Sequence, residues 1–319
     1  MKKFNKQEIV DFYSMMYRMR RFEEEVFEFY KKGLMPGLAH LYLGEEAVAT
    51  GACALLHHDD FIGSTHRGHG HLVARGADLK KMMAEILGKK TGYSKGKGGS
   101  MHIMALDKGI LGANGIVGAE IPIATGAAYS SKYRGTEQVT IAFFGDSASN
   151  QGTFHESINM ASAWNLPIVY LIENNLYGIS VDIRTVTNVE NLADRAHGYG
   201  IPGVTVDGMN VFEVYEATKT AIDRARSGKG PSIVECKTYR WQGHHVGDPA
   251  VYRATEEVEH WKSRDPLIVF KQLVDGELTE KEYNEIETQI ELEIQEAVAF
   301  AEESPYADVS EAYTDIFTE

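Results

Sequence analysis

Two cysteines, Cys53 and Cys236, are all that the 319 residues contain. They are too few for a disulfide framework and lack metal-site spacing, so a reduced interior is the natural compartment and both thiols read as core residues. No apolar run is long enough to span a membrane, and no apolar signal core follows Met1-Lys2-Lys3. A cytoplasmic location of bacterial or archaeal type, with no membrane partner, is the expectation. Basic charge is also in short supply. Lys plus Arg number 32 against 46 Asp plus Glu, a net charge of −14, which argues against a nucleic-acid surface and leaves anionic ligands to local positive charge. The sequence has no G-x-x-x-x-G-K-[ST] and no G-x-G-x-x-G opening a helix after a strand, so neither a P-loop nor a dinucleotide fold is indicated. It also lacks internal repeats and long linkers.

What it has is 43% hydrophobic residues, enough for one large α/β domain or two ordinary ones. Val139 to Phe144, the turn Gly145-Asp146, an amphipathic segment to Trp164, then Ile168 to Ile172 and Glu173-Asn174-Asn175 read as strand, turn, helix, strand. Such a unit makes two parallel strands and sets Asp146 and Asn175 side by side at their carboxyl ends, the edge where open α/β sheets bind ligands. A carboxylate and an amide oxygen there suit Mg²⁺, which completes its octahedron with phosphate oxygens and water. A phosphorylated cofactor is therefore implied.

Other segments add candidates. Ile9, Phe12, Tyr13, Met16, Phe22, Val26 and Phe29 recur at helical spacing, and their stripe reads as core or subunit contact. A helix is expected from about Glu45 to Leu56. His66-Arg67-Gly68-His69-Gly70-His71 sits among glycines in an expected loop, which suits phosphate binding by Arg67 and an imidazole better than zinc; His71 reads as packing or capping. Gly88 to Gly118 is glycine-rich, as a loop that wraps a ligand would be, while Lys95 and Lys97 read as solvated. Val211 to Arg226 reads as an amphipathic helix and Ser232 to Tyr239 as a buried strand. His244, in the loop after that strand, is an acid/base candidate because imidazole titrates near neutrality. Asp265 to Glu303 is Glu-rich and helical in pattern.

Gly145-Asp146-x(27)-Asn174-Asn175 resembles the thiamine diphosphate motif, in which Mg²⁺ ties the cofactor diphosphate to the protein. With Gly37 to Gly51, Ser64 to Gly70, Gly96 to Met101, Gly112 to Gly118, Glu173 to Gly178 and Thr238 to Asp248, residues 10 to 310 resemble the alpha subunits of the thiamine-dependent first component of acetoin and 2-oxo acid dehydrogenase complexes. The resemblance implies an α/β, doubly wound, mostly parallel thiamine diphosphate-binding fold as a single domain over 1–319. Its core would span about 37–248, with a helical amino-terminal arm at 6–32 and a helical tail at 255–303. It also implies that Asp146, Asn175 and the backbone oxygen of Tyr177 coordinate Mg²⁺. His66 and Arg67 would hold the diphosphate, Gly115 and Val117 would contact the cofactor through their backbones, and Ser147 and Ala148 would sit against the phosphates. His244 would lie over the thiazolium, with His40 on the substrate side. The partners implied are a beta subunit in a two-plus-two heterotetramer, which contributes the activating glutamate, and the lipoyl group of a dihydrolipoyl acyltransferase.

Ser64 to His71 and Gly44-Glu45-Glu46-Ala47-Val48 are similar to the acetoin branch; pyruvate members usually carry Tyr at the position of His66 and Gln at that of Glu45. The implied activity is acetoin cleavage to acetaldehyde and a hydroxyethyl-cofactor intermediate, passed on as acetyl to lipoamide. Oxidative decarboxylation of pyruvate is the alternative, and a non-catalytic cofactor-binding subunit the remoter one. Two residues depart from the pattern. Ser147 stands where glycine usually follows the metal aspartate, which puts cofactor affinity in question. His245 replaces a serine phosphorylated in some pyruvate enzymes. The glycine-rich loop and Trp241 to Tyr252 are expected to be mobile in the free subunit.

Overall fold

A capping box opens the first element. Asn5 Oδ1 accepts from the Glu8 N–H at 3.0 Å and Glu8 Oε2 accepts from the Asn5 N–H at 2.8 Å, satisfying two N–H groups that the start of a helix leaves unpaired. The computed structural model describes residues 4–317. After α1 (Lys6–Lys31) come α2 (Glu46–Cys53), β1 (Phe61–Thr65), α3 (His69–Ala74), α4 (Leu79–Ile86), β2 (Ile110–Asn114) and α5 (Glu120–Arg134). The strand-helix-strand unit read from the sequence is β3 (Thr140–Gly145), α6 (Gly152–Ala163) and β4 (Ile168–Asn174). A small antiparallel pair, β5 (Tyr177–Gly178) and β6 (Val181–Asp182), precedes β7 (Gly203–Asp207), α7 (Val211–Arg226) and β8 (Ser232–Lys237). The tail is α8 (Thr255–Ser263), α9 (Pro266–Leu273) and α10 (Glu280–Glu303), the last begun by a Thr279–Glu282 capping box.

The six long strands form one sheet in the order β2-β1-β3-β4-β8-β7, and every neighbouring pair is parallel. Strand periodicity divides β3 and β4 between two cores. Ile141, Phe143, Val169 and Leu171 pack with α1, α2, α4, α7 and α10 on one face, while Ala142, Phe144, Ile168, Tyr170 and Ile172 pack with α5 and α6 on the other. Both faces are therefore covered, which is why these strands read as unbroken apolar runs without alternation. The expected α/β fold with a mostly parallel sheet is what the chain adopts. Cys53 and Cys236 are both buried in the first core.

Four expectations about local structure change. The glycine-rich stretch is not all loop: Ile110–Asn114 pairs with β1 as the sheet's edge strand, a run too short and too rich in glycine to announce itself. His69 and His71 lie on α3, where a loop was expected, since the intervening Gly70 did not prevent one and a half turns of helix. The helix expected from Glu45 to Leu56 spans only Glu46–Cys53, and the tail is interrupted between α9 and α10. At the carboxyl-end edge the chain runs outward in opposite directions from β1 to β2 and from β3 to β4. The crevice between β1 and β3 is thus a topological switch point.

Candidate active site

Register places the first half of the site. Gly145 pairs with Glu173 at the end of the β3–β4 ladder, so Asp146 and Asn175 leave adjacent strands at one edge. Both side chains are buried. Asp146 Oδ1 accepts from the Ser147 N–H at 2.8 Å, whereas Asp146 Oδ2 is buried without a hydrogen-bond partner. Burial pushes the Asp146 carboxyl up to about 6. Asn175 Nδ2 donates to Glu45 Oε1 at 2.9 Å, which turns the amide oxygen away from Glu45, and that oxygen receives only a long 3.5 Å contact from the Tyr177 N–H. An orphaned carboxylate oxygen beside an underused amide oxygen is a donor set that fits a hard divalent cation. The Tyr177 carbonyl accepts from Arg240 Nη1, but a carbonyl oxygen carries two lone pairs and one remains.

The second half consists of three histidines on three loops. His40 follows α1, His66 follows β1 and His244 follows β8. Ring centroids are 4.7 Å apart for His40 and His66, 4.7 Å for His40 and His244, and 5.4 Å for His66 and His244. Arg67 ties the loops together, because Nη1 donates to the Leu41 carbonyl and Nη2 to the His244 carbonyl, each at 2.8 Å. Backbone bonds from Val246 to Ala39 and from Trp241 to Leu43 add to the same joint. Gly44 permits this closeness: at φ +98° its missing Cβ would lie 2.4 Å from the Tyr239 carbonyl. Burial, reinforced by the Arg67 charge, holds His40 down at about 2, His66 at about 3 and His244 at about 4. All three imidazoles are neutral at pH 7, able to donate or accept a hydrogen bond without carrying charge.

A cavity of about 370 Å³ joins the halves, a volume in the range of cofactor and ligand sites. His66, Arg67, Val117, Asp146, Ser147, Ala148, Asn175, Tyr177 and His244 all line it. His40 stands behind His66 and His244, and Gly115, at the end of β2, faces His102 instead of the lining. Ser147 packs against Gly178, where an added Cβ would fall 1.8 Å from the Ser147 Oγ. The serine's bulk is thus taken up by Gly178, which itself lines the cavity.

Four functional candidates escaped sequence reasoning. Buried Arg240 donates to the Tyr177 and Ile179 carbonyls and lines the cavity. Glu45, singled out earlier only as a branch marker, bonds Asn175 and lies 3.6 Å from Arg67 Nε; burial and the neighbouring Glu173 push its pKa well up. Glu173 accepts from Tyr42 and from His71, so His71 serves a buried network beneath the site. Glu120, at the start of α5, lines the cavity with its carboxyl raised by burial to about 8. A polar residue inside a strand or helix pattern was the available signal at Glu173 and Glu120.

The sequence matches the Dehydrogenase E1 component family over residues 14–310. The chain belongs to that family. It is 51% identical over 306 residues, 96% of this chain and 92% of the relative, to the alpha subunit of acetoin:2,6-dichlorophenolindophenol oxidoreductase of Bacillus subtilis (strain 168). The protein of that name from Cupriavidus necator (strain ATCC 17699) is 46% identical over 98% of this chain and 95% of its own length. The pyruvate dehydrogenase E1 component subunit alpha of Rhizobium meliloti (strain 1021) is 42% identical over 98% of this chain and 91% of its own. As a dehydrogenase E1 component, the chain is part of a thiamine diphosphate-dependent oxidoreductase. Among its described residues no helix is long and apolar enough to cross a membrane.

Proposed function

We propose that this chain is the alpha subunit of an acetoin dehydrogenase, acting with a separate beta subunit in a two-plus-two heterotetramer and with thiamine diphosphate bound through Mg²⁺. The observation that carries the reading is His66. It stands at the cavity wall in ring contact with His40 and His244, facing the Asp146–Asn175 edge, and the acetoin-type sequence signature falls on that residue. Bound thiamine diphosphate supplies the carbanion that adds to a substrate carbonyl.

The chain's own residues supply placement and hydrogen bonds. Asp146, Asn175 and the Tyr177 carbonyl would hold Mg²⁺, with the Glu45 bond fixing the amide of Asn175 oxygen-inward. Arg67 retains N–H groups beyond the two that bind main-chain carbonyls; with His66 it would meet the diphosphate, and Ser147 and Ala148 would close on the phosphates. Gly115 and Val117 would give backbone contacts. His244 and His40, neutral and held by loop-to-loop bonds, would donate to the substrate oxygen on which charge develops and accept the proton of its hydroxyl. The acetyl product would leave on the lipoyl group of an acyltransferase.

Pyruvate is the second reading, favoured by the 42% identity to a pyruvate dehydrogenase subunit over nearly the whole chain. Dye reduction by the chain co-purified with its beta subunit, in thiamine diphosphate and Mg²⁺, compares the two substrates. Faster turnover of acetoin is the expected result; faster turnover of pyruvate would replace the first reading with the second.

A further inference from the structure

Glu235, in the middle of β8, is a buried carboxylate that does not reach the cavity. It pairs with Ile172 of β4 and Thr205 of β7, so its side chain shares a sheet face with both and with Asn174, two residues beyond Ile172. Four donors converge on it. Oε1 accepts from Asn174 Nδ2 and from Lys237 Nζ, each at 2.7 Å. Oε2 accepts from the Thr205 hydroxyl at 2.9 Å and from the Ala193 N–H at 3.1 Å. A carboxylate offers about four acceptor positions, and all of them are taken.

Held in this way, the Asn174 amide turns its oxygen to the Leu176 N–H, at 3.2 Å. Leu176 stands at φ +74°, a left-handed conformation that a leucine keeps only where its surroundings impose it. Asn175 and Tyr177 flank Leu176, and both line the cavity. We propose that Glu235 is a positioning residue for the Mg²⁺ site, fixing through Asn174 the turn that aims Asn175 and the Tyr177 carbonyl; this role rests on the Mg²⁺ reading given above. An amide of the same shape cannot replace the carboxylate. With its oxygen toward Asn174, its NH₂ faces the Ala193 N–H. Turned over, it faces the Asn174 NH₂, which accommodates it only by losing the Leu176 bond. Either way a buried donor goes unpaired. Mg²⁺ demands a near-ideal octahedron at about 2.0–2.1 Å, whereas Ca²⁺ accepts irregular shells at about 2.3–2.6 Å. A turn released from Glu235 therefore harms Mg²⁺ more than Ca²⁺, which a loss of general stability would not do.

The test is the affinity of the alpha/beta enzyme for thiamine diphosphate, measured by calorimetry in Mg²⁺ and again in Ca²⁺ at equal concentration. Glu235→Gln should weaken binding about 10–100-fold in Mg²⁺ and less than about threefold in Ca²⁺. Adding Asn174→Asp exchanges donor and acceptor across the pair. The introduced carboxylate takes the amide N–H and the Leu176 N–H, and the amide oxygen is left for Ala193 and Thr205. The Mg²⁺-to-Ca²⁺ affinity ratio should then return to within about threefold of the parent's. Asn174→Ser breaks the same link from the turn side and leaves β8 as it is, so it should lower the ratio even where Glu235→Gln does not fold. A ratio unchanged in Asn174→Ser, unchanged in folded Glu235→Gln, or not restored by the exchange overturns the positioning role. Parent binding as tight in EDTA as in Mg²⁺ would show instead that the metal reading itself has failed, and the positioning role with it.

Discussion

The two halves of the cavity are held in different ways. Asp146 and Asn175 sit at the ends of paired central strands, and their spacing is fixed by the β3–β4 ladder and the two cores that clamp it. His40, His66 and His244 sit on loops, fixed by main-chain bonds from Arg67 and Arg253 and by contacts between segments as far apart as residues 39 and 246. Strand-end geometry is local and periodic; loop-to-loop geometry is neither. The consequence is that the strand-end half is sensitive to its own side chains and to the residues packed directly on them, whereas the histidine half can also be disturbed from a distance.

The largest effect should come from the strand-end half. Asp146→Ala removes the buried carboxylate proposed to hold Mg²⁺, and thiamine diphosphate affinity of the alpha/beta pair, measured by calorimetry in Mg²⁺, should fall about 10³-fold or more, the several kcal/mol that a lost metal clamp represents. Next is Gly178→Ala. Its Cβ would fall 1.8 Å from the Ser147 Oγ and 2.8 Å from the Ser147 Cβ, displacing the residue after Asp146, and cofactor affinity should drop about tenfold to a hundredfold. Adding Ser147→Gly to the same chain should restore most of it. A double variant no better than the single one would mean that Gly178 matters for another reason.

Smaller effects should mark the loop half. Arg253 donates to the carbonyls of Arg240, Trp241 and Gln242, pinning the backbone that leads to His244. Arg253→Ala should cost about 2–3 kcal/mol of local order and speed proteolytic nicking between Trp241 and Tyr252, with cofactor affinity within a few-fold of the parent. Glu120→Gln isolates one buried carboxyl at the cavity floor. Because the folded chain keeps this proton until about pH 8, its contribution to stability is full below about pH 4, where the unfolded carboxyl is also protonated, and declines as pH rises through 8. The glutamine variant should lose less stability than the parent between pH 5 and pH 8, by on the order of 4 kcal/mol in denaturant titrations.

The same contrast explains what the sequence could and could not disclose. Apolar runs and turn residues placed β3, α6, β4, α7 and β8 nearly to the residue, because the strands are unbroken apolar runs and the helices period-3.6 patterns, each bounded by turn residues. The Asp146–Asn175 pairing follows from them. β2 was missed because an edge strand with a glycine at its centre looks like the loop around it, and α3 because Gly70 within it and Gly68 before it masked a short helix. Arg240 and Glu45 were missed as site residues for a different reason. A buried charge is visible only when its partners are known, and the Arg240 partners at Tyr177 and Ile179 lie some sixty residues away in the chain. His40 and His244 were named through resemblance and an assumed strand end, yet their contact with each other comes only from the crossing of loops.

The division of labour between the halves is most directly tested by His66→Tyr in the alpha/beta enzyme, with kcat/KM for acetoin and for pyruvate measured beside the affinity for thiamine diphosphate. The account predicts that the ratio of acetoin to pyruvate kcat/KM falls at least tenfold while cofactor affinity stays within about threefold, since Asp146, Asn175 and Arg67 are untouched and a tyrosine hydroxyl can still donate to the diphosphate that His66 is proposed to meet. An unchanged ratio together with a large loss of cofactor affinity would contradict it, and would place His66 with the strand-end half of the site.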